Sequence, residues 1–532
     1  MNRPFAGTGA LIRFNLRLDR VRILIWTLAI GLGVWASVVA LDEAYPTPES
    51  LAARGQLMDN PATVIMTGPA FSLDHYTFGA MVANELYLYV LIPAAIMSIL
   101  LTVRHTRADE ESGRLELVRA LPVGHFAHST AAIVTVAIAN VLVGGATAGA
   151  LIASNMAAPD SLAFGLGTAL TGMVFASIAM TAAQVTEHAR NVTGVASGAL
   201  AVAFLVRGIG DALETGGSWL SWFSPFAWAQ QTKVYVDLRW WPLAVSVAVI
   251  VVLFAVSFSL ARRRDLGAGL RAPRPGRARA TRYLLQPWGL ADHLIRGTWI
   301  VTTLGIMFFG VAMGTLVSNI GDMLDANPSL RDWVALSGTD LSGEFAGLIL
   351  QYVLLAPIIV ATSSVLRMRQ EEGSGRLAQL LVAGRSRSGF LASWLGTVLV
   401  YTVISTVLLG ISVGAGVAIG TREPDRIDDL QLASLTYLPA ILLIASVAVA
   451  LYGLIPRFAS LAWALVTWVV IVLFLGGLLK LPDWAMNISP LTNTPAYPTD
   501  GFDALPLFIM GGITAVLVVV GFLGFRSRDL HA

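Results

Sequence analysis

The chain has 532 residues, of which 56% are hydrophobic and 13% are charged, and its formal net charge is +2. A soluble domain has about 25% charged residues, so this composition excludes an ordinary soluble globular protein. Cysteine is absent, which excludes disulfides and thiolate metal sites. Apolar stretches of about 20 residues recur along the whole chain, and each is long enough to cross the hydrocarbon core of a bilayer.

The N-terminal stretch "LIRFNLRLDRVR" separates apolar from basic positions. Phe14 and Leu18 share one helical stripe, and Arg13 and Arg17 share another. This pattern predicts an amphipathic helix over about 9–21 that lies at the membrane surface, with its arginines reaching the lipid headgroups. An ordinary basic flank of the first membrane span would produce the same pattern.

Twelve apolar runs follow one another along the chain. Lipid offers no partner for open backbone groups, so each run predicts a membrane-spanning helix. The predicted fold is an all-α polytopic integral membrane protein with about 12 transmembrane helices. The predicted spans lie near 22–41, 79–103, 127–154, 163–185, 192–211 and 242–261 in the first half, and near 298–318, 345–366, 390–418, 431–452, 459–479 and 505–525 in the second.

Four short landmarks recur in the same order, each 262–265 residues after its first copy. They are Glu111-Ser-Gly-Arg-Leu115 with Gly373-Ser-Gly-Arg-Leu377, the Ser-Pro pairs at 224 and 489, the Arg-Asp-Leu triplets at 264 and 528, and the span prolines at 93 and 357. Six spans accompany each set, so the chain is predicted to contain two six-helix repeats of the same orientation.

The repeat predicts three regions. Residues 1–266 form the first six-span half, 267–288 form a linker, and 289–532 form the second half. The linker is rich in arginine and proline, which is typical of a solvated cytoplasmic tether and is also compatible with contact to anionic lipid. Without an aromatic or folded recognition element beside this charge, nucleic acid is excluded as a partner.

The basic residues predict the orientation. With the N-terminus inside, the cytoplasmic segments carry 27 of the 35 basic residues and 11 of the 33 acidic residues. Such an excess of arginine on one side follows the positive-inside rule. Both termini are therefore predicted to be cytoplasmic in a bacterial plasma membrane, and both Ser-Gly-Arg-Leu strings lie on the cytoplasmic side.

The two strings, "EESGRLELV" and "EEGSGRLAQLLV", follow the second and eighth spans. Glu110 and Arg114 stand four residues apart, as do Glu372 and Arg376, so an exposed helix with ion pairs is predicted at both places. The glycine inside each string permits a bend or the close approach of another backbone. A single copy would be read as a solvated loop, whereas the duplication favours a docking element that a two-fold partner needs twice.

The strings, together with "WFSPFAW" before the sixth span, resemble the permease subunits of ABC-type exporters of the type-two class. The resemblance is greatest to the fused twelve-span polyketide-antibiotic, or tetronasin-exporter-like, permeases of actinobacteria, and it covers essentially the whole chain. It implies that each string is a coupling helix that docks on an ATPase subunit. The implied coupling residues are Glu110, Glu111, Gly113, Arg114 and Leu115 in the first string, and Glu372, Gly375, Arg376 and Leu377 in the second. Because Gly373 replaces the acid Glu111, the two docking sites could be unequal.

The segment 216–242 contains five tryptophans. It is compatible with an aromatic belt at the headgroups, and the resemblance implies a pair of short re-entrant helices that helps to close an outer gate. Both interpretations can hold together.

The chain carries no sequence for ATP hydrolysis. Neither of its two lysines follows a glycine, so a phosphate-binding Walker A loop is absent. Neither a catalytic nor a metal-binding constellation is recognised, and the substrate-binding residues are not identified. The expected protein is therefore a transporter subunit, with ATP and Mg bound on a separate ABC ATPase, two copies per permease chain.

The apolar interior suits a hydrophobic or amphiphilic cargo, such as an antibiotic, a drug or a lipid-like molecule. The alternative function is that of an ion-coupled secondary transporter with two six-helix bundles. Such a carrier usually needs acids at mid-membrane, whereas Glu85, Glu187 and Asp211 lie near the ends of their predicted spans. Arg207 and Asp211 are expected to pair with each other.

Overall fold

A computed structural model describes residues 4–58, 61–264, 269–270, 279–286, 288–319, 341–475, 481–495 and 503–529. Across these ranges the regular structure is helical. The chain divides into two compact units, Met1–Pro275 and Gly276–Ala532. The division falls inside the predicted linker 267–288, of which residues 269–270, 279–286 and 288 belong to the described ranges.

Twelve helices in the described part of the chain are long and apolar enough to cross a membrane, and they confirm the twelve predicted spans. In the first unit they are α1 Thr8–Ala44, α2 Phe78–Glu111, α3 Ala127–Ala153, α4 Ala158–Val185, α5 Ala189–Leu213 and α6 Trp241–Ala261. In the second unit they are α7 Gly289–Ser318, α8 Ser342–Gly373, α9 Arg387–Thr421, α10 Arg426–Leu454, α11 Pro456–Leu473 and α12 Ala504–Ser527.

Helix α1 runs for 37 residues without a break. Residues 9–21 are helical and continue directly into the first span, and their position at the membrane surface stays a prediction. The sequence contains no proline between residues 5 and 45 that would end the helix. At about 1.5 Å per residue, α1 is roughly 55 Å long and exceeds a bilayer core of about 30 Å. Helix α1 is therefore too long for all of its turns to lie within the hydrocarbon core.

Small residues let the helices of each unit pack closely. In the first unit, a Cβ atom added to Gly144 of α3 would collide with the carbonyl oxygen of Gly165 of α4, and the reverse also holds. In the second unit, Gly453 of α10 lies equally close to Gly521 of α12. Close backbone approach at small residues is the main packing device of helices in lipid.

Buried polar side chains also connect the helices. The Asn140 side chain on α3 donates a hydrogen bond to the Ser98 hydroxyl on α2 at 2.9 Å. In the second unit, the Trp299 indole on α7 donates to the Ser364 hydroxyl on α8 at 3.1 Å. Each bond satisfies a polar group that lipid would leave without a partner.

The aromatic segment before α6 contains two short helices, Ser221–Phe223 and Pro225–Gln230. The rings of Trp222 and Trp241 stack at a centroid distance of 5.1 Å, while Trp219 is largely exposed. The predicted pair of short helices is present, and its role as a belt or as a gate stays a prediction.

Candidate functional site

Both Ser-Gly-Arg-Leu strings adopt the same backbone path. Helix α2 ends at Glu111 and a short helix begins at Arg114, while α8 ends at Gly373 and a short helix begins at Arg376. Between the helices, Gly113 has φ 71° and Gly375 has φ 74°. Left-handed backbone of this kind favours glycine. A Cβ atom at either glycine would meet nothing within 4 Å, so the glycine serves the bend and not a close packing contact.

The left-handed glycine makes the predicted ion pairs wrong. Arg114 pairs with Asp109, at 3.5 Å, and not with Glu110. Arg376 pairs with Glu371, at 2.6 Å, and not with Glu372. Residues four apart share a face only along an unbroken helix, and the break between the two helices places the arginine beside the acid five residues earlier.

Glu110 instead forms a buried ion pair with Arg264, which lies shortly after α6, the last helix of the first unit. The Arg264 guanidinium donates to the two Glu110 carboxylate oxygens at 2.6 and 3.0 Å. Arg107 donates to the same carboxylate at 2.7 Å. The Glu110 side chain is 7% exposed. Glu110 is therefore a buried anchor and not the exposed charge that the sequence predicted.

The second unit repeats this arrangement. The Arg528 guanidinium donates to the two Glu372 carboxylate oxygens at 2.6 and 2.7 Å, and the Glu372 side chain is 8% exposed. Burial alone would lower the pKa of Arg528, but the hydrogen bonds and the charge of Glu372, together with Tyr452, outweigh burial and raise the pKa. The Arg528 guanidinium also lies 5.2 Å from the ring centroids of Tyr452 and Phe525, where cation–π attraction adds to the ion pair.

The predicted coupling residues fall into three groups by their exposure. The exposed residues lie on the outer side of each string, and the buried residues fasten the string to its unit. Glu111, Arg114 and Arg376 are exposed, Gly113 and Gly375 are half-buried, and Glu110, Leu115, Glu372 and Leu377 are buried. Leu117, which is 75% exposed, and Val382, which is 89% exposed, extend the exposed surface and were not among the predicted residues.

The two strings differ at one contact. The Glu111 carboxylate lies 2.8 Å from His188 Nδ1 and accepts a hydrogen bond from the Ala189 backbone N–H at 3.2 Å. This contact joins the first string to the start of α5. Gly373 occupies the corresponding place in the second string and has no side chain to form such a contact.

A buried cluster around Asp19 was not predicted. Asp19 Oδ1 lies 2.7 Å from Arg22 Nη1 and 3.0 Å from Arg104 Nε, and Asp19 Oδ2 lies 2.5 Å from His105 Nε2. The cluster fastens α1 to α2 shortly before the first string. The signal in the sequence was that Asp19 is the one acid in residues 1–41, on the same helical face as Asn15 and Ile23, which are buried too.

The pair at the other end of α5 agrees with its prediction. Arg207 Nη1 lies 3.3 Å from Asp211 Oδ2, and both side chains are fully buried. Asp211 also accepts a hydrogen bond from the Ser221 hydroxyl at 2.5 Å. The pair thus ties α5 to the first of the two short aromatic helices.

Twelve apolar helices with interhelical polar contacts define a multipass integral membrane protein. The family model described as "Multidrug efflux system permease Rv1217c, C-terminal domain" matches residues 284–526. The chain is also 36% identical, over 534 aligned residues, to the multidrug efflux system permease protein Rv1217c of Mycobacterium tuberculosis; the alignment covers 99% of this chain and 96% of that protein. The chain belongs to this family of multidrug efflux system permeases. The prediction of a drug-efflux permease is confirmed, while the ABC type and the narrower tetronasin-exporter-like group stay predictions.

Proposed function

We propose that the chain is the membrane-spanning permease of an ATP-driven ABC exporter of hydrophobic or amphiphilic compounds. ATP and Mg bind on a separate ATPase subunit, of which two copies dock, one on each string. Both termini and both strings lie on the cytoplasmic side of a bacterial plasma membrane. The observation that carries the proposal is that two distant strings have the same bend, the same buried anchor and the same exposed face.

The buried anchors suit a coupling element. A segment that transmits motion from a soluble subunit to membrane helices must move with those helices. Each string continues from a long helix, α2 or α8, and its acid is bound at two oxygens by an arginine beyond the last helix of the unit. Bidentate arginine–carboxylate pairs restrict geometry more than single contacts do, so force on a string would reach two helices together.

The exposed faces suit docking. Arg114 and Leu117 on the first string, and Arg376 and Val382 on the second, offer one cation and one apolar side chain each. Arginine is enriched at protein interfaces, and the buried core of an interface is more apolar than the rest of the surface. Glu111 belongs to the first face alone, which supports unequal docking sites.

Two separate observations support the proposed cargo and the proposed orientation in the membrane. The relative from Mycobacterium tuberculosis is described as a permease of a multidrug efflux system, and by extension this chain moves several small molecules outward. The excess of basic residues in the segments that contain the strings supports their cytoplasmic side.

The test is co-purification with an ATPase of the same class expressed in the same cells. Leu117→Glu combined with Val382→Glu should reduce the retained ATPase about tenfold, because each change places a charge in an interface centre. Leu285→Glu is the matched control, since Leu285 is also exposed, at 62%, and lies outside both strings. The Leu285→Glu chain should retain as much ATPase as the unmodified chain.

Two results would reject the proposal. One is undiminished ATPase retention by the double variant together with undiminished drug resistance in cells. The other is export driven by a proton gradient in vesicles that contain no ATPase, which is the behaviour of an ion-coupled secondary transporter.

A further inference from the structure

The second unit contains a cavity of about 710 Å³ between the start of α7 and the first half of α9. Its lining includes Tyr283, Trp288, Asp292, Ser393 and Tyr401. None of these residues belongs to either string. Docking of an ATPase on the strings therefore does not explain this cavity.

Asp292 is the carboxylate of this cavity. The Tyr401 hydroxyl donates a hydrogen bond to Asp292 Oδ1 at 2.5 Å. The Asp292 carboxylate also raises the pKa of the Tyr283 hydroxyl. Arg296 Nη1 lies 3.9 Å from Asp292 Oδ2, and its side chain is half exposed to solvent. The Arg296 contact is long and solvent-screened, and the two hydroxyls are neutral, so the negative charge of Asp292 in the cavity wall is only partly compensated.

The remaining walls are aromatic and apolar. Trp288 and Tyr283 stand at the same end of α7 as Asp292, while Val400 and Ile404 lie further along α9; all four are exposed. From Gly389 to Ile404 the wall formed by α9 is roughly 22 Å long at about 1.5 Å per residue. This length accommodates a molecule with a charged part beside Asp292 and an apolar part along α9.

The buried acid of the corresponding helix in the first unit has a different environment. Asp19 of α1 is surrounded by Arg22, Arg104 and His105 and is fully buried. Its charge is satisfied within the protein. Helix α7 instead places a carboxylate beside aromatic rings, which is the combination that binds organic cations.

We propose that this cavity binds lipophilic cations, such as amphiphilic amines and quaternary ammonium or phosphonium compounds. The cation lies against Asp292 and the rings of Trp288 and Tyr283, and its apolar part lies along Val400 and Ile404. An anionic lipid headgroup would meet the carboxylate and is disfavoured. The inference deepens the proposed function by naming a class of cargo, and it rests on that function only for the transport that follows binding.

The test is equilibrium dialysis of the purified full chain in an uncharged detergent, with tetraphenylphosphonium as the probe. Tetraphenylborate, which has nearly the same shape and the opposite charge, is the matched ligand control. The phosphonium should bind saturably and the borate should not. Asp292→Asn should weaken phosphonium binding about fivefold, because the attraction between the cation and a partly desolvated carboxylate is lost while the ring contacts remain.

A second variant tests the cavity itself. Gly396 lines the cavity, and a Cβ atom added there meets nothing within 4 Å. Gly396→Phe should therefore narrow the cavity and weaken phosphonium binding, and its Cβ atom causes no clash in α9. Gly305→Phe is its control: a Cβ atom at Gly305 of α7 also meets nothing within 4 Å, and Gly305 does not line the cavity. That variant should bind as the unmodified chain does.

Equal binding of phosphonium and borate, or unmodified phosphonium binding by Gly396→Phe, would overturn the proposal. If Asp292→Asn elutes as an aggregate, the comparison of Gly396→Phe with Gly305→Phe decides. The assay contains neither ATPase nor nucleotide, so failure of the ATP-coupled mechanism would leave its result unchanged. Conversely, a chain that couples to ATPase and fails to bind the phosphonium would refute this site alone.

Discussion

Arg528 binds both carboxylate oxygens of Glu372, a residue 156 positions earlier in the chain. Arg264 binds both oxygens of Glu110, 154 positions earlier, in the other unit. Each bond connects the end of the last helix of a unit to the string that follows the second helix. In the sequence the Arg-Asp-Leu triplets are only landmarks of the repeat. In the structure the first residue of each triplet, Arg264 or Arg528, forms an ion pair with the string of its own unit.

The first prediction concerns this pair. Arg528→Glu should lower the free energy of unfolding by about 3–5 kcal/mol, because the change leaves Glu372 buried beside a like charge. The reversed pair, Arg528→Glu with Glu372→Arg, should recover part of the loss. Thermal unfolding of the purified variants in detergent, arranged as a double-mutant cycle, measures the coupling. A reversed pair no more stable than Arg528→Glu alone would contradict it.

The equivalent pair of the first unit, Glu110 with Arg264, changes the expected effect of charge reversal on the stability of the fold. If Glu110 formed the exposed ion pair that the sequence predicts, its reversal would cost the fold less than about 1 kcal/mol. The buried bidentate contact with Arg264 makes that expectation wrong. Variants that test docking should therefore change exposed residues such as Leu117, and leave the anchors intact.

The second prediction concerns the bend of each string. Gly375→Ala should cost about 1–2 kcal/mol, because alanine at a φ of 74° is strained. Gly373→Ala, two residues earlier at the end of α8, is the matched control. Gly373 is not among the glycines of positive φ, and a Cβ atom there meets nothing within 4 Å. Thermal unfolding should separate the two variants, and an equal effect of both would show that the bend tolerates alanine.

The third prediction concerns the Asp19 cluster. Asp19→Asn should destabilise the first unit by a few kcal/mol, because Arg104 and His105 would lose the carboxylate that compensates their burial. Asp42→Asn on the same helix is the control, since Asp42 is exposed. Thermal unfolding is again the measurement. Similar stability of the two variants would mean that the cluster is dispensable for the fold.

The sequence predicted the twelve spans because the length and apolarity of a membrane helix are local properties of a segment. It also predicted the Arg207–Asp211 pair, whose members lie four residues apart on one helix. The partners of Glu110 and Glu372 could not be predicted in this way, because they lie 154 and 156 residues away, far outside the window in which periodicity is informative. The cavity beside Asp292 depends likewise on the packing of α7 against α9.

The left-handed glycine in each string explains why the ion pairs predicted for Arg114 and Arg376 are wrong. The sequence predicts a bend or a close backbone approach at the glycine of each string, whereas the i, i+4 pairing requires an unbroken helix across that glycine. The left-handed conformation of Gly113 and Gly375 interrupts that spacing. A glycine inside a short helical pattern therefore limits the use of i, i+4 pairing on its two sides.

The last prediction concerns topology. The chain has no cysteine, so single cysteines at exposed positions report the side of the membrane with an impermeant thiol reagent on intact cells. Ser112→Cys and Ser374→Cys, one in each string, should react only after the membrane is permeabilised. Ala52→Cys, after α1, and Asp425→Cys, between α9 and α10, should react from outside. All four native residues are exposed. Reaction of the two string cysteines from opposite sides would refute the same-orientation repeat, and reaction of both from outside would invert the whole topology.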